Sequence, residues 1–419
     1  MKASLKILSL ISLALNLLAA GTPAYCASGG MPPAGLTITE SVPEETVYGS
    51  TLTARPLEVW LAMINGASKT LDIEQFYIAT VSGEPLEQVL SAIKAAAGRG
   101  VKVRIMVDSV MMKESGAPLA ELGSTANIET RVIHYRKLGG GVQHSKFFVA
   151  DSSSVYVGSQ NFDWRSLKHI HELGLRIESP RAAQTFEAVF EADWLMAASR
   201  DKADGVEYFK TPVPAAVTRK KPEKALLNGR EVSYYTAFSP KEFKPKKFDA
   251  EIDELVSLIK GAKISLSAQV MTYSLKDRGA GKKWTELDEA FRAAAKKGVT
   301  VRLIFADWAM GGKADADIKE LSKAKNITVK ISSLPQHSGG FVPFARVEHC
   351  KYLVADDKHG FISTSNWSRD YFYEARDAAI IITGAPAIEA LNDVFYKAWN
   401  GPYVKVVDPT SDYLPVKKQ

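Results

Sequence analysis

One pattern of residues occurs twice in this chain, and the duplication constrains the fold more than any other feature of the sequence. Residues 95–108 read AAAGRGVKVRIMVD, and residues 293–307 read AAAKKGVTVRLIFAD. Each stretch combines the end of a helix, a glycine and an apolar, β-branched run of the kind found in buried strands. Gly100 and Gly298, 198 positions apart, stand where a residue of left-handed conformation ends a helix. The repeat therefore predicts two related units in one chain.

Strand-like runs at 70–77 and 263–273 precede the two helices. Strands that alternate with helices indicate α/β layers. We therefore predict an α/β protein with two homologous α/β/α layered domains, related by pseudo-two-fold symmetry and sharing one active site at their interface. The predicted segments are a first domain at 32–215, a basic linker strap at 216–247, a second domain at 248–405 and a C-terminal tail at 406–419.

The linker strap is defined by its charge. From residue 219 to residue 247 there are nine basic residues and three acidic ones, with three prolines among them. This composition is typical of a connecting segment at the surface rather than of a core. A strip that binds a polyanion is the alternative interpretation, and a solvated linker is the preferred one.

The first residues have the organisation of an export signal. Lys2 and Lys6 form a basic start, residues 7–20 are an uncharged apolar run, and small residues follow as far as Ala27. A bilayer span needs about 20 apolar residues, so a retained membrane anchor is the weaker alternative. The pattern predicts a signal peptide at 1–27 and an exported protein, either periplasmic or secreted.

Composition excludes several classes of protein. Of the 419 residues, 46% are hydrophobic and 24% are charged, which excludes a disordered or collagen-like chain. Cys26 and Cys350 are the only cysteines, so the chain has neither a disulfide framework nor a CxxC metal site. The formal net charge of +6 suits a polyanionic partner without establishing one.

The chemistry is carried by a motif, HxKxxxxD, that occurs once in each half. At a background of roughly 5% for each fixed residue, a chain of this length should contain it about 0.05 times. In both copies an asparagine follows the histidine after 17 positions, so the match is not a coincidence. The two sets are His144, Lys146, Asp151 and Asn161 in the first half, and His349, Lys351, Asp356 and Asn366 in the second.

The spacing of the motif has a physical meaning. Alternate residues of a strand share a face, so each histidine points the same way as the lysine two positions later. Asp151 and Asp356 fall at the turn of a predicted hairpin, so a structural role is favoured over direct catalysis. The returning strand brings the asparagine back towards the lysine. Ser159 and Thr364, just before the asparagines, are predicted to be structural.

Two imidazoles, two ammonium groups and two amides fit the cleavage of a phosphodiester. One neutral histidine attacks phosphorus while the other, protonated, donates to the leaving oxygen. The lysines and asparagines stabilise charge on the other phosphate oxygens. The residues do not decide which histidine attacks. No metal and no cofactor is predicted, because the lysines supply the positive charge and no carboxylate cluster suits a two-metal site.

The motifs resemble the phospholipase D superfamily, whose signature is a duplicated HxKxxxxD. The resemblance is closer still to the animal endolysosomal phospholipase-D-like 5′ exonucleases and the poxvirus envelope phospholipases. It runs from about residue 36 to residue 402, with two departures. Ser363 replaces the glycine that usually precedes Thr364, and a cleavable-looking signal replaces the membrane anchor of the animal relatives. The matching stretches are ITESVPEE (38–45), GSQNFDWRSLKHIHELGL (158–175), VPFARVEHCKY (342–352) and TSNWSRDYF (364–372).

The resemblance implies roles for individual residues. His144 matches the nucleophile of the family, and His349 matches the acid and base. Glu172 matches the acidic residue that holds the imidazole of the first half. Glu374 is the better match in the second half, with Asp377 as the alternative.

The motif indicates only that a phosphodiester is cleaved, so it does not decide between a phospholipid and a nucleic acid as the substrate. The leading interpretation is a phospholipase D that hydrolyses phospholipids, with transfer to an alcohol or a lipid synthase as variants. The close alternative is a secreted 5′ exonuclease that uses the same site on single-stranded nucleic acid. An alternative of another class is an inactive module that binds nucleic acid or membrane. Peripheral membrane contact is compatible with the chain, and no obligate protein partner is predicted.

Residues outside the motif receive simpler interpretations. Cys350 lies between His349 and Lys351, so it is predicted to point away from them as a small buried hydrophobe. The histidines without a matching lysine are predicted to be surface or loop residues: His134, His169, His171, His337 and His359.

Overall fold

The computed structural model describes residues 34–277, 282–312 and 314–418. The predicted signal peptide at 1–27 therefore lies outside the described residues. No helix within the described ranges is long and apolar enough to cross a membrane.

Strands and helices alternate along both halves, as the sequence predicts. We number them along the chain. The strands are β1 (Ala34–Ser41), β2 (Thr70–Gln75), β3 (Ile78–Ala79), β4 (Lys102–Asp108), β5 (Ile128–Ile133), β6 (Phe147–Ala150), β7 (Ser154–Gly158), β8 (Phe162–Asp163), β9 (Glu172–Glu178), β10 (Glu223–Leu227), β11 (Arg230–Ser239), β12 (Asp249–Ala250), β13 (Ser265–Val270), β14 (Thr300–Ala306), β15 (Ile327–Ser332), β16 (Lys351–Ala355), β17 (His359–Ser363), β18 (Asp377–Thr383) and β19 (Val404–Val406).

Helices cover the connections between the strands. Short 3₁₀ turns at Ser109–Met111 and Asp307–Ala309 follow β4 and β14. The α-helices are α1 (Pro56–Gly66), α2 (Leu86–Gly98), α3 (Met112–Gly123), α4 (Tyr135–Leu138), α5 (Trp164–Lys168), α6 (Pro180–Ser199), α7 (Lys202–Tyr208), α8 (Glu251–Gly261), α9 (Glu286–Lys296), α10 (Asp315–Ser322), α11 (Arg369–Tyr373) and α12 (Ala385–Trp399).

The order of hydrogen-bonded strands shows the duplication. In the first half it is β5-β4-β2-β6-β7-β9-β1, and in the second half it is β15-β14-β13-β16-β17-β18-β11. In each half the first three strands are parallel and the rest pair antiparallel. Strand β10 pairs with both β1 and β11 and so joins the two series. The predicted α/β class with two homologous halves is confirmed.

Gly100 and Gly298 have the predicted conformation. Their φ angles are +94° and +93°, and each follows the last turn of its helix, α2 or α9. An added Cβ would meet no atom within 4 Å at either position, so the glycine is favoured there by its backbone freedom and not by crowding.

The segment 216–247 corrects one expectation. The sequence predicts a surface strap there, but β10 and β11, which make up much of the segment, belong to the sheet. Val232, Tyr234 and Phe238 are buried in the apolar core that both halves share. The error arises because the charged residues lie mostly outside β11 or at its start, whereas the rest of β11 alternates buried and half-buried side chains and ends in a fully buried run. The other domain boundaries stay predictions.

Candidate functional site

The two motif histidines lie just before the strands β6 and β16. The backbone N–H of His144 donates to the carbonyl of Arg376 at 2.9 Å, and that of His349 donates to the carbonyl of His171 at 2.9 Å. Arg376 and His171 immediately precede β18 and β9, which belong to the opposite halves. Each histidine is therefore fixed by backbone from the other half of the chain.

The carboxylates that contact the imidazoles are exchanged in the same way. Nδ1 of His144 lies 2.9 Å from Oδ1 of Asp377, and Nδ1 of His349 contacts Oε1 of Glu172. Each carboxylate follows the histidine of its own half by 28 positions but serves the histidine of the other half. A carboxylate on Nδ1 fixes the ring and leaves Nε2 for chemistry.

Two expectations about these acids are corrected. Glu172 holds the second histidine rather than the first. Glu374 contacts neither imidazole, because its carboxylate pairs with Arg369 at 2.5 Å, and Asp377 makes the contact instead. The physical reason is the backbone pairing of β18, which begins at Asp377 and presents that side chain to His144.

Both motif lysines are completely buried. Nζ of Lys351 donates to the carbonyl of His349 at 2.6 Å, and Nζ of Lys146 donates to the carbonyl of His144. The ammonium groups act electrostatically on both imidazoles, so the two pairs share one site.

The asparagines complete the set of polar groups. Asn161 and Asn366 are buried, and the Oδ1 atom of each lacks a hydrogen-bond partner among the described residues. Buried amides normally satisfy their oxygens, so this arrangement leaves capacity for a ligand or for water.

Burial dominates the protonation of the site. It lowers the pKa values of His144 and His349 well below the ordinary value of 6.5, and the charges of Lys146 and Lys351 lower them further. Both imidazoles are therefore neutral at neutral pH. Burial also lowers the pKa of Lys146 well below its usual range and that of Lys351 to about 8.

The carboxylates have the opposite shift. Burial raises the pKa of Glu172 well above its usual range and that of Asp377 to about 7, although the lysines oppose the change. A phosphate anion placed between the lysines would stabilise their charged forms.

Asp151 and Asp356 are structural, in a way that the sequence did not predict in detail. Asp151 accepts backbone N–H bonds from residues 68, 69 and 70 at 2.7–2.9 Å. Asp356 does the same for residues 263, 264 and 265 at 2.7–2.9 Å. Each aspartate occupies the hairpin turn with a positive φ near 54° and ties that turn to the start of β2 or β13.

Ser159 and Thr364 occupy equivalent places with different contacts. The hydroxyl of Ser159 donates to the carbonyl of Leu173 at 3.2 Å and accepts from the same residue's N–H at 3.1 Å. The hydroxyl of Thr364 donates to Oδ1 of Asp377 at 2.5 Å. Thr364 therefore reaches the carboxylate that holds His144.

A buried carboxylate, Glu251, explains the Ser363 departure. Its oxygens accept from the hydroxyls of Ser239 at 2.6 Å and Ser365 at 2.8 Å, and from Ser363. Burial raises the pKa of Glu251 to about 8, and the neighbouring charge of Asp377 adds to the shift. Sequence reasoning missed Glu251, which lies at the start of an ordinary amphipathic helix.

His171 was also misjudged from the sequence. It is buried, with Nδ1 2.8 Å from Oε2 of Glu348 and Nε2 3.1 Å from Oε1 of Glu40. Burial lowers the pKa of His171, but its neighbours Cys350 and Glu348 leave it well above 6.5. His169 lies in the turn after α5, which fits the prediction of a surface or loop residue, although its side chain is buried.

The same cluster is the place to test for a metal. Donor atoms of His171, Glu348 and Cys350 lie within 4.8 Å of one another. Both ring nitrogens of His171 already contact carboxylates. The hydrogen-bonding groups of His171 are therefore satisfied by the protein itself, as part of a buried network. Cys350 is buried, as predicted.

Arg376 is the counterpart of His171, since each follows its motif histidine by 27 positions. Its buried guanidinium pairs with Asp193 through contacts of 2.7 and 2.9 Å. It also donates to the carbonyls of Ser239 and Phe243. Arg376 and His171, which directly precede Asp377 and Glu172, are thus both cations that pair with buried acidic side chains.

Aromatic rings flank the first histidine. The ring centroids of Phe76 and Tyr371 lie 5.0 and 4.8 Å from that of His144, both edge to face. His144 and His349 retain only 4% and 8% exposure, so both imidazoles are almost completely covered by the rest of the protein.

Two neutral imidazoles, each held at Nδ1 by a carboxylate, beside two buried lysines, define a phosphodiesterase of the phospholipase D class. A family model described as "Cardiolipin synthase, PLD-like domain" matches residues 60–194 and 255–399. The chain belongs to the phospholipase D superfamily, whose members are phosphodiesterases, and the protein is an enzyme of this kind.

Similar proteins are named either as exonucleases or as phospholipases D. The rat protein named 5′-3′ exonuclease PLD3 is 30% identical over 408 residues, covering 91% of this chain and 82% of the relative. The Dictyostelium discoideum protein named Phospholipase D Z is 32% identical over 389 residues, covering 87% and 89%. The resemblance to the animal exonuclease branch is confirmed.

A solved structure shares the fold. Phosphatidylserine synthase of Haemophilus influenzae superposes with a TM-score of 0.58 at 13% identity, covering 84% of this chain and 85% of that one. This likeness concerns the fold alone.

Proposed function

We propose that the protein hydrolyses phosphodiesters through a covalent phosphohistidine, with His144 as the nucleophile and His349 as the acid and base. The observation that carries this proposal is the exchanged pair of buried imidazole–carboxylate contacts beside two buried lysines. Asp377 holds the Nδ1 proton of His144, so the lone pair of Nε2 is free to attack. The choice of His144 over His349 rests on the resemblance to the family.

The reaction balances in two steps. Nε2 of His144 attacks phosphorus, the bond from phosphorus to the leaving oxygen breaks, and that oxygen takes the proton of His349. A water then gives a proton to His349 while its oxygen attacks phosphorus and the phosphorus–nitrogen bond breaks. The products are a phosphate monoester and an alcohol, and both histidines return to their starting state.

Protonation of His349 depends on the substrate. Burial and the two ammonium groups hold the pKa of His349 well below its ordinary value. A bound phosphodiester anion offsets the charge of Lys146 and Lys351 and so raises the affinity of His349 for a proton. The acid is therefore charged only when there is a bond to cleave.

A trapping experiment tests these roles. With bis-p-nitrophenyl phosphate, the variant His349→Asn should accumulate a phosphoryl adduct on His144, because the activated leaving group needs no acid. His144→Asn should form no adduct and show no turnover. The exposed His359→Asn is the matched control and should behave as the wild type. An adduct on His349 would reverse the assignment, and turnover by His144→Asn would refute the mechanism.

For the substrate, we infer that single-stranded nucleic acid is the first to test. The predicted export favours phospholipid, since an exported enzyme meets the phospholipids of the envelope or the environment. A relative named as a 5′-3′ exonuclease, which covers 91% of this chain, supports nucleic acid, and Phospholipase D Z, which is equally similar, supports phospholipid. The rings of Phe76 and Tyr371 beside His144 also suit the stacking of a base next to the reacting phosphate.

Phospholipid is the second candidate, and a rim of aromatic residues favours it. Phe341 and Phe344 are each 42% exposed, and Phe344 precedes His349 by five positions. Nζ of Lys417 lies 4.7 Å from the ring of Phe341, and the guanidinium of Arg165 lies 5.9 Å from that of Phe344. Exposed aromatic rings beside cations suit a membrane interface.

Direct competition separates the two substrates. Phosphatidylcholine vesicles and a 5′-labelled single-stranded oligonucleotide are offered to one preparation, with His144→Asn as the control. Mononucleotide release without phosphatidate supports the exonuclease, and phosphatidate without mononucleotides supports the phospholipase.

We also propose that the protein is exported. The support is the basic and apolar pattern of residues 1–27. N-terminal sequencing of the protein from the periplasm and medium of an expressing bacterium tests it. Retention of Met1 in the cytoplasmic fraction would refute export.

A further inference from the structure

A cavity outside the candidate active site is surrounded by lysines. Its volume is about 690 Å³, within the range of small-ligand sites. The rim carries four exposed lysines, Lys220, Lys221, Lys246 and Lys247. We call this feature the lysine cavity. None of its lining residues belongs to the site around His144 and His349.

Two separate chain segments build the lysine cavity. A tight turn closed by backbone hydrogen bonds between Thr218 and Lys221, at 2.9 and 3.2 Å, presents the first lysine pair. The second pair comes just before β12, which is aligned along β11 by the pairing of Asp249 with Ala237. The N–H of Arg219 donates to Oδ2 of Asp249 at 2.6 Å and joins the segments. The lysines therefore converge through folding and not only through adjacency in the sequence.

The charge of the lysine cavity is only partly compensated by the residues that line it. Among the residues that the structure describes, none of the four lysines forms an ion pair with a carboxylate. Asp249 is the one carboxylate among the described lining residues, so four positive charges face a single negative charge there. Four ammonium groups around one space repel one another, and an anion placed between them relieves that repulsion.

The shape of the lysine cavity favours one polyanion over another. Its apolar floor is recessed, because Ala216 and Phe248 are buried at 5% and 4% exposure. A bilayer contact needs apolar side chains that protrude beyond the cations. A flexible single strand can instead place successive phosphates against lysines at a rim.

We propose that the lysine cavity binds the sugar–phosphate backbone of single-stranded nucleic acid, at a distance along the strand from the phosphate being cleaved. This proposal rests on the inferred nucleic-acid substrate of the active site. It assigns a binding function to the basic segment that the sequence first suggested was a solvated linker.

The test compares two charge-removal variants of the full chain. One is K220Q/K221Q/K246Q/K247Q. The matched control is K296Q/K297Q/K325Q, which removes lysines from another surface cavity, of about 560 Å³, at the end of α9. Both sets are exposed, so folding should survive in each.

Binding is measured first, because it does not depend on cleavage. Fluorescence anisotropy reports the affinity of a labelled oligothymidylate for each variant over a range of salt. The lysine-cavity variant should bind about tenfold or more weakly at low salt, and its salt slope should be smaller by up to about 2.8 if four phosphate contacts are lost. The control should bind as the wild type does.

Kinetics give the second measurement. The ratio of kcat/KM for the oligonucleotide to kcat/KM for bis-p-nitrophenyl phosphate should fall about tenfold in the lysine-cavity variant, through KM. The small substrate cannot bridge two sites, so the ratio isolates the distant contact. Equal losses in both variants, or an unchanged salt slope, would overturn the proposal.

Two further outcomes separate a membrane-binding role of the lysine cavity from a failure of the proposed nuclease activity. Loss of sedimentation with phosphatidylglycerol vesicles, while oligonucleotide binding is retained, would make the lysine cavity a membrane contact and overturn the proposal. Wild-type binding of the oligonucleotide without any cleavage would refute the proposed nuclease activity, while the loss of affinity in the lysine-cavity variant would still support this binding site.

Discussion

Nδ1 of His144 lies 2.9 Å from Oδ1 of Asp377, a residue 233 positions later in the chain. The mirror contact joins His349 to Glu172, 177 positions earlier. Neither half of the protein therefore contains a complete imidazole–carboxylate pair. The site depends on the backbone pairing that brings Arg376 and His171 beside the two histidine segments.

The first prediction concerns Asp377. The variant Asp377→Asn should lower kcat on bis-p-nitrophenyl phosphate by roughly two orders of magnitude or more, because an amide supports the wrong tautomer of His144. Glu374→Gln, three positions earlier, is the control and should retain activity, since Glu374 contacts Arg369. Steady-state kinetics check both. Equal effects of the two variants would argue against the exchanged contact.

The second prediction concerns pH. Burial lowers the pKa of Lys351 to about 8, so kcat/KM should fall as the pH rises through about 8 and the ammonium group loses its proton. On the acid side, kcat/KM should fall as the pH drops through about 7, because Asp377, whose pKa burial raises to about 7, then takes up a proton and no longer accepts the Nδ1 proton of His144. Lys351→Arg should move the alkaline decline to higher pH, since a guanidinium stays charged. A pH–rate profile whose alkaline limb is the same in both proteins would contradict this.

The third prediction concerns metals. The lysines stabilise the phosphate charge in the proposed mechanism, so hydrolysis of bis-p-nitrophenyl phosphate should be unchanged in excess EDTA. The measurement is the initial rate before and after dialysis against the chelator. Activity that disappears and returns with Zn²⁺ or Mg²⁺ would refute the mechanism.

The fourth prediction concerns stability. Asp193→Ala leaves the buried guanidinium of Arg376 without its partner and should lower the free energy of unfolding by about 3–5 kcal/mol. Urea denaturation measures the change. Glu389→Ala, which breaks an exposed pair with Arg230, is the control and should produce no resolvable shift. A small effect of Asp193→Ala would mean that Arg376 is satisfied by the carbonyls alone.

Much of the architecture could be predicted from the sequence because it depends on local pattern. The glycines after α2 and α9 have left-handed conformations, and the hairpins β6–β7 and β16–β17 form where the motif spacing places them. These features need only a few neighbouring residues.

The contacts between halves could not be predicted in this way. Periodicity says which way Asp377 points along a strand, but not which histidine lies opposite. One signal was present: Glu172 and Asp377 each follow their histidine by 28 positions, whereas Glu374 breaks that register. His171 and Arg376 share an offset of 27, which would have marked them as equivalent buried cations. Glu251 carried no such signal, because its three hydroxyl partners come from two segments distant in the chain, at Ser239 and at Ser363 and Ser365.

The exchanged carboxylates also set the time at which the enzyme becomes active. A ribosome completes His144 long before it reaches Asp377, and β18 can pair only after it has been made. A nascent or truncated chain that ends before Asp377 therefore holds the proposed nucleophile, His144, without the carboxylate that contacts it. If the proposed mechanism holds, we expect hydrolysis to begin only after β18 has docked, so that the appearance of activity would report a late stage of folding.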